Sequence, residues 1–368
     1  MSDNNKFGLP STLDSGSRGE AEIFTYNRPF RLESGALLSQ YHLAYTTIGK
    51  LNETKDNVVW VFHALTANSN AQEWWPGLVG EGKLFDPKNY FIICVNMPGS
   101  AYGSSSPLDV NPLTNEKYFH EFPWFTTRDM IRAYQPLREA LGIRKIFIGI
   151  GGSMGGQQLL EWAIEEPFLF EHIIPIATNA YHSAWGIAFN ASQRMAIEAD
   201  PTWKNKNVDA GAEGLKVARS IALLSYRHYE AYGISQIEET NEVLTDFKSE
   251  GYQRYQGKKL AERFNAFSYY FLSKGMDAHN IGRSRQSIEL SLKDITAKTL
   301  VIGIGNDVLF PLEEQRFLAK SISGASFKAI DSFYGHDGFL LEFEPITHSI
   351  LSFLKQHSKE ESKKYLIK

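Results

Sequence analysis

Continuous apolar runs, not alternating ones, dominate the middle of this chain. Val58-Val59-Trp60-Val61-Phe62 has no polar member. A strand of this kind is covered on both faces, as in a parallel sheet flanked by helices. Similar runs recur at 90–95, 145–150, 173–177 and 299–304, and in weaker form at 327–330. Helical periodicity fills several of the intervals, as over 128–141 and 156–165. Strands alternating with helices predict an α/β protein with a mostly parallel, doubly wound sheet. Ahead of residue 58 the pattern changes. Segments 22–26, 30–32 and 41–47 alternate polar with apolar and are bounded by turns at Asn27-Arg28-Pro29 and Ser34-Gly35, which predicts antiparallel strands.

Between about residues 179 and 295 the strand signal stops. Helix-like segments at 192–198, 214–224 and 253–273 predict a helical cap inserted between two strands of the sheet. The chain then divides into a polar segment (1–20), a first part of the core (21–178), the cap (179–295), a second part of the core (296–356) and a charged tail (357–368) that is expected to fray. With 43% hydrophobic and 22% charged residues over 368 positions, a sizeable core is available. The balance of 42 acidic against 38 basic residues offers no basic excess for nucleic acid or an anionic membrane. No apolar stretch approaches the roughly 20 residues needed to cross a bilayer, and the polar start has no apolar region of the secretory type. The lone cysteine, Cys94, lies in an apolar run and reads as a small core residue; a single thiol fits a reducing compartment. A soluble, cytoplasmic protein is expected.

The chemistry is concentrated at Gly151-Gly152-Ser153-Met154-Gly155-Gly156, between the 145–150 run and the 156–165 helix. The spacing fits G-x-S-x-G, the nucleophile elbow of α/β-hydrolase enzymes, in which a tight strand-to-helix turn exposes the serine hydroxyl. Such a serine needs a base, and the base needs an orienting acid, in the chain order Ser…Asp/Glu…His. Asp307 follows the 299–304 run in Gly305-Asn306-Asp307, and His336 lies in Tyr334-Gly335-His336-Asp337-Gly338 after the 327–330 run. Both sit at C-terminal strand ends, where open α/β sheets place their sites. Asp331 competes for the acid role but precedes His336 by only five residues, and reads as the end of the last strand. An oxyanion hole requires two backbone N–H donors. Met154, just after the serine, and Leu65, in the loop after residues 58–62, are the candidates; His63 in that loop reads as structural. No His, Cys and carboxylate cluster has the spacing of a metal site.

Several longer motifs stand in order around these residues. They are His63-Ala64-Leu65-Thr66, Trp74-Trp75 with Gly80-Glu81-Gly82-Lys83, Thr127-Arg128-Asp129-Met130, Gly151 through Trp162, Asp307-Val308-Leu309-Phe310-Pro311 and Gly335-His336-Asp337-Gly338-Phe339-Leu340. In these the chain resembles the homoserine O-acetyltransferase family, cap-bearing α/β-hydrolase-fold enzymes of methionine biosynthesis. The resemblance implies acetyl-CoA as co-substrate with no bound cofactor, L-homoserine as acceptor, and a ping-pong reaction through an acetylated Ser153. It also implies that Arg219, in Ala218-Arg219-Ser220-Ile221, and its companion Tyr226 bind the acceptor carboxylate, that Asp337 binds its ammonium, and that a homodimer forms through the cap. Departures from the family pattern occur at Gly103-Ser104-Ser105-Ser106-Pro107, at Asn190-Ala191-Ser192-Gln193-Arg194, where a glutamate is lost, and at Asn306. None touches the serine, acid or base. Alternatives on the same scaffold are a succinyl-CoA-dependent or serine-directed acyltransferase, or an esterase-type hydrolase.

Overall fold

Strand β3 (Val58–Phe62) shows how the core is built. Its side chains alternate between two apolar clusters, Val58, Trp60 and Phe62 in one, Val59 and Val61 in the other. A strand buried on both faces separates two layers of helices. The computed structural model describes residues 21–365; the polar segment 1–20 lies outside the described residues.

The other strands of the main sheet are β1 (Glu22–Tyr26), β2 (Tyr41–Ile48), β4 (Phe91–Val95), β5 (Ile146–Gly152), β6 (Phe170–Ile176), β7 (Lys298–Ile304) and β8 (Ser326–Ile330). Their spatial order is β1-β2-β4-β3-β5-β6-β7-β8. The pairs β1–β2 and β2–β4 are antiparallel, and the remaining pairs are parallel. Helices α1 (Thr127–Ala140) and α2 (Met154–Glu165) join the cluster around Trp60, where Trp162 meets the Trp60 ring edge-on at 4.9 Å. The apolar side of the last helix (Phe343–Tyr365), through Ile346, Ile350 and Phe353, covers the opposite face.

Between β6 and β7 the chain leaves the sheet and forms α3 (Ala184–Glu198), α4 (Ala212–Tyr226), α5 (Tyr229–Ser235), α6 (Lys248–Ala261), α7 (Ala266–Asp277) and α8 (Ile288–Lys293). The outgoing and returning chains run antiparallel, with the His182 N–H donating to His279 O and the Ile281 N–H to Ala180 O. A buried ionic network anchors the return: Arg285 and Arg128 share Glu161 of α2, at 2.7 and 2.5 Å, while Arg283 and Arg128 share Glu33, at 2.7 and 2.8 Å. This accounts structurally for the Thr127-Arg128-Asp129-Met130 motif, whose Asp129 also forms a capping box with Thr126.

Four expectations about elements are corrected. The 253–273 helix is two helices, because Asn265 is extended and caps α7 by accepting the Ser268 N–H at 2.8 Å. The 192–198 segment is only the second half of α3, which begins eight residues earlier behind its Ser183 cap. Segment 30–32 shrinks to a two-residue strand, Phe30–Arg31, paired with Leu37–Leu38 outside the main sheet. The tail expected to fray from residue 357 is helical through Tyr365; a Lys/Glu-rich stretch free of Gly and Pro favours helix.

Candidate active site

Ser153 lies between β5 and α2 with φ 55° and ψ −127°, a conformation that costs a non-glycine residue about 1–3 kcal/mol. The surroundings impose it. Its N–H donates to Ile176 O at 3.0 Å, and its carbonyl accepts from Thr178 Oγ1 at 2.8 Å. Close packing explains the flanking glycines: a Cβ on Gly155 would lie 2.1 Å from the Phe62 carbonyl oxygen, and one on Gly151 would lie 2.6 Å from the Gly155 backbone. The start of α2 is thereby pressed against the end of β3.

Asp307 stands just beyond β7. Its Oδ1 accepts the N–H groups of Leu309 and Phe310, both at 2.8 Å, which leaves Oδ2 to His336 Nδ1 at 2.6 Å. With Nδ1–H committed to the carboxylate, Nε2 of the neutral ring is the acceptor. The imidazole is clamped by Phe310, stacked at 5.1 Å, by Phe339 at 5.2 Å and by Tyr226 at 5.8 Å. Its loop turns at Gly335, φ 63°, where a Cβ would lie 2.9 Å from the His228 nitrogen. Asp331 is exposed and is not the partner of His336.

One cavity is lined by Ser153, His336, Leu65, Arg219, Tyr226 and Asp337. Met154 is the first residue of α2, so its N–H belongs to the helix turn that has no intrahelical acceptor. The Leu65 loop is shaped by His63, whose Nδ1 donates to Ala64 O at 2.8 Å while Nε2 accepts the Met97 N–H at 3.0 Å. Burial pushes the His63 pKa down to about 4, so the ring stays neutral. Arg219 lies over the Tyr226 ring, 5.4 Å from its centre. Cys94 is a buried core residue whose thiol pKa is pushed up by burial.

Sequence reasoning missed three groups here. Arg227, next to Tyr226, forms an ion pair with Asp337, Nε to Oδ2 at 2.7 Å. The contact is not aligned as a hydrogen bond, so Nε and Nη1 of Arg227 are buried with unused donors. Behind Asp307, Glu314 accepts from Asn179 Nδ2 at 2.9 Å, and Asn179 Oδ1 accepts from Gln157 Nε2 of α2 at 2.9 Å. Burial, reinforced by the Asp307 charge, pushes the Glu314 pKa up to about 7. Tyr269 of α7 donates to Gln193 Oε1 at 2.6 Å. Of Arg227, Glu314, Asn179, Gln157, Tyr269 and Gln193, only Gln157 and Gln193 lie within motifs singled out from sequence. Among the described residues, no group of three or more His, Cys, Asp or Glu could hold a metal ion.

Residues 57–343 match the α/β hydrolase fold family. The homoserine O-acetyltransferase of Cyclobacterium marinum is 48% identical over 92% of this chain and 96% of its own length. The chain belongs to the homoserine O-acetyltransferase family. A solved structure of homoserine O-acetyltransferase from Staphylococcus aureus is 30% identical, with a TM-score of 0.76 over 91% of this chain and 94% of that one. The fold itself extends further, to the esterase E22, with a TM-score of 0.82 at 21% identity over 91% of this chain and 99% of that one.

The three segments that depart from the family pattern have structural roles, through Asn306 itself and, in the other two, through residues beside the changed positions. Asn306 Nδ2 donates to Ser332 O at 3.0 Å, joining the loop of Asp307 to the one that leads to His336. Asn190 and Arg194 clasp Asp277 of α7, at 2.8 and 2.6 Å. Ser104 donates to Asn96 O at 2.6 Å and accepts the Ala44 N–H at 2.9 Å, fixing β2 beside the end of β4.

Proposed function

We propose that the protein transfers the acetyl group of acetyl-CoA to the hydroxyl of L-homoserine through an acetyl-Ser153 intermediate. The observation that carries this reading is the cavity itself. It is lined both by Ser153 with the Asp307-bound His336 and by an arginine–carboxylate pair of side chains suited to a zwitterion. Ser153 Oγ attacks the thioester carbonyl and passes its proton to His336 Nε2. The resulting oxyanion is stabilised by the N–H groups of Leu65 and Met154. On collapse the C–S bond breaks, and CoA leaves as the thiol with the proton from His336. Homoserine's hydroxyl then gives its proton to His336 and attacks the acetyl carbon; the C–O bond to Ser153 breaks and the serine regains a proton.

Water competes for the acetyl-enzyme, so the acceptor must be held in near-attack geometry. Arg219, backed by the Tyr226 ring, supplies a planar fork for the acceptor carboxylate, and Asp337 supplies the countercharge for its ammonium. Arg227 forms an ion pair with Asp337. No resident cofactor is part of this scheme; acetyl-CoA is a co-substrate.

The test is incubation with acetyl-CoA or succinyl-CoA and a panel of amino-acid acceptors, following free thiol and product mass. O-acetylhomoserine as the dominant product supports the reading. Preferential use of serine or succinyl-CoA, or thiol release without transfer, favours the corresponding alternative. No helix among the described residues is long and apolar enough to cross a membrane. A cytoplasmic setting and a homodimer joined through the helical insertion complete the proposal; sedimentation as a monomer at micromolar concentration would remove the dimer.

A further inference from the structure

Arg219 and Asp337 are not equally provided for before an acceptor arrives. Half-buried Arg219 lines the cavity with no hydrogen bond or ion pair among the described residues, only its contact with the Tyr226 ring. Asp337 lines the same cavity but already has a cation, with Arg227 Nε 2.7 Å from its Oδ2. No other ion pair reaches Asp337 among the described residues. Arg227 itself stands outside the lining.

The local structure builds this pair in. Helix α4 ends at Tyr226, and Arg227 is extended, with φ −109° and ψ 142°. The turn that carries His336 and Asp337 packs directly on that segment: a Cβ on Gly335 would lie 3.1 Å from Tyr226 O and 2.9 Å from the His228 nitrogen. Both partners are largely buried, with 12% and 14% of their side-chain surface exposed. Main-chain packing thus brings the two charges together, and no acceptor is needed to hold them.

An acceptor that lacks a charge leaves its counter-group in the site unpaired, and such analogues are strongly rejected. For a missing carboxylate that penalty falls on Arg219, which has no other partner. For a missing ammonium it does not fall on Asp337, whose charge Arg227 continues to balance. The three side chains together carry two positive charges against one negative, a surplus that an anionic acceptor offsets.

We propose that the acetyl-enzyme also acetylates short ω-hydroxy carboxylates that lack the amino group. The inference rests on the reading above in which Arg219 and Asp337 face the acceptor. In the transfer, the hydroxyl oxygen of the hydroxy acid bonds to the acetyl carbon as its proton passes to His336 Nε2. The C–O bond to Ser153 breaks, the serine oxygen takes that proton, and an acetoxy acid leaves. An amino alcohol, which keeps the ammonium and lacks the carboxylate, is the poor acceptor of the set.

The experiment supplies acetyl-CoA with homoserine, 4-hydroxybutyrate or 3-aminopropan-1-ol and measures kcat/KM for each, with the product identified by mass. The hydroxy acid should be acetylated with kcat/KM within about 10-fold of homoserine, and the amino alcohol should fall about 100- to 1000-fold below homoserine. A hydroxy acid used no better than the amino alcohol overturns the proposal. Arg227→Gln leaves Asp337 unbalanced, so the preference for homoserine over the hydroxy acid should widen about 10-fold. An unchanged preference in that folded variant removes Arg227 as its cause; the comparison of acceptors in the unaltered protein stands should the variant fail to fold. Arg219→Ala tests the reading beneath: unchanged kcat/KM for homoserine there would place the acceptor carboxylate elsewhere and overturn the assignment of Arg219 itself.

Discussion

The two walls of the cavity use their polar groups differently. On the wall made by the sheet's loops several are held by bonds within the protein. Both oxygens of Asp307 are bonded, His336 is clamped by three rings, and the strained Ser153 backbone is bonded at its N–H and its carbonyl. On the wall made by the helical insertion, Arg219 makes no hydrogen bond or ion pair among the described residues, only its contact with Tyr226. Next to Tyr226, Arg227 keeps buried donors without hydrogen-bond partners. A buried polar group without a partner is costly, so such groups tend to be kept where a ligand completes them. In the proposed function, the sheet wall would carry the bond making and the helical wall would receive a charged acceptor.

Removing the nucleophile breaks the sheet wall most completely. Ser153→Ala should lower CoA release from acetyl-CoA by roughly 10⁴-fold or more, with or without homoserine, and mass spectrometry should find no acetyl-enzyme. The groups proposed to bind the acceptor, Arg219 on the helical wall and Asp337 beside His336, should respond in only one half-reaction. Arg219→Ala or Asp337→Ala should cut kcat/KM for homoserine roughly 30- to 1000-fold, from the loss of about 2–4 kcal/mol of charge pairing. Acetyl-enzyme formation should change far less; equal losses in both halves would erase the distinction between the walls.

Smaller effects refine the comparison. Asn265→Ala removes the cap that separates α6 from α7, which should cost about 1 kcal/mol and lower Tm by about 2 °C. Glu314 probes the back of the sheet wall. Its folded pKa is raised, so the penalty for burying its charge is absent at low pH, grows as pH rises from the ordinary carboxylate range to about 7, and is complete above that. Glu314→Gln should therefore raise Tm by about 1–2 °C near pH 8 and by less near pH 5. An equal gain at both pH values would show that packing, not charge, is responsible.

Much of the fold was legible because buried parallel strands announce themselves as unbroken apolar runs. Val58-Val59-Trp60-Val61-Phe62 has one reading, and β3 begins and ends there. The start of β6 was harder to see. Phe170 and His172 are buried, but the intervening Glu171 hides the strand's first three residues. The break between α6 and α7 carried a signal, an asparagine three residues ahead of Ser268, that helical periodicity on either side concealed.

Within the site, the glycine-flanked Ser153 and the Asp307 and His336 loops are local patterns, each specified by a turn beside a strand. Nothing local specifies that Arg227 meets Asp337, 110 positions away, or that Arg263 reaches back 197 residues to Thr66. Periodicity and turn chemistry act over a few residues, so the amino-acid order alone could determine the sheet, the elbow and the order of its chemical groups. Contacts between the helical insertion and the loops depend on where the insertion docks. That docking is set by the summed packing and ion pairing of many distant residues, Glu33, Arg128, Glu161, Arg283 and Arg285 among them, and only the folded chain brings them together.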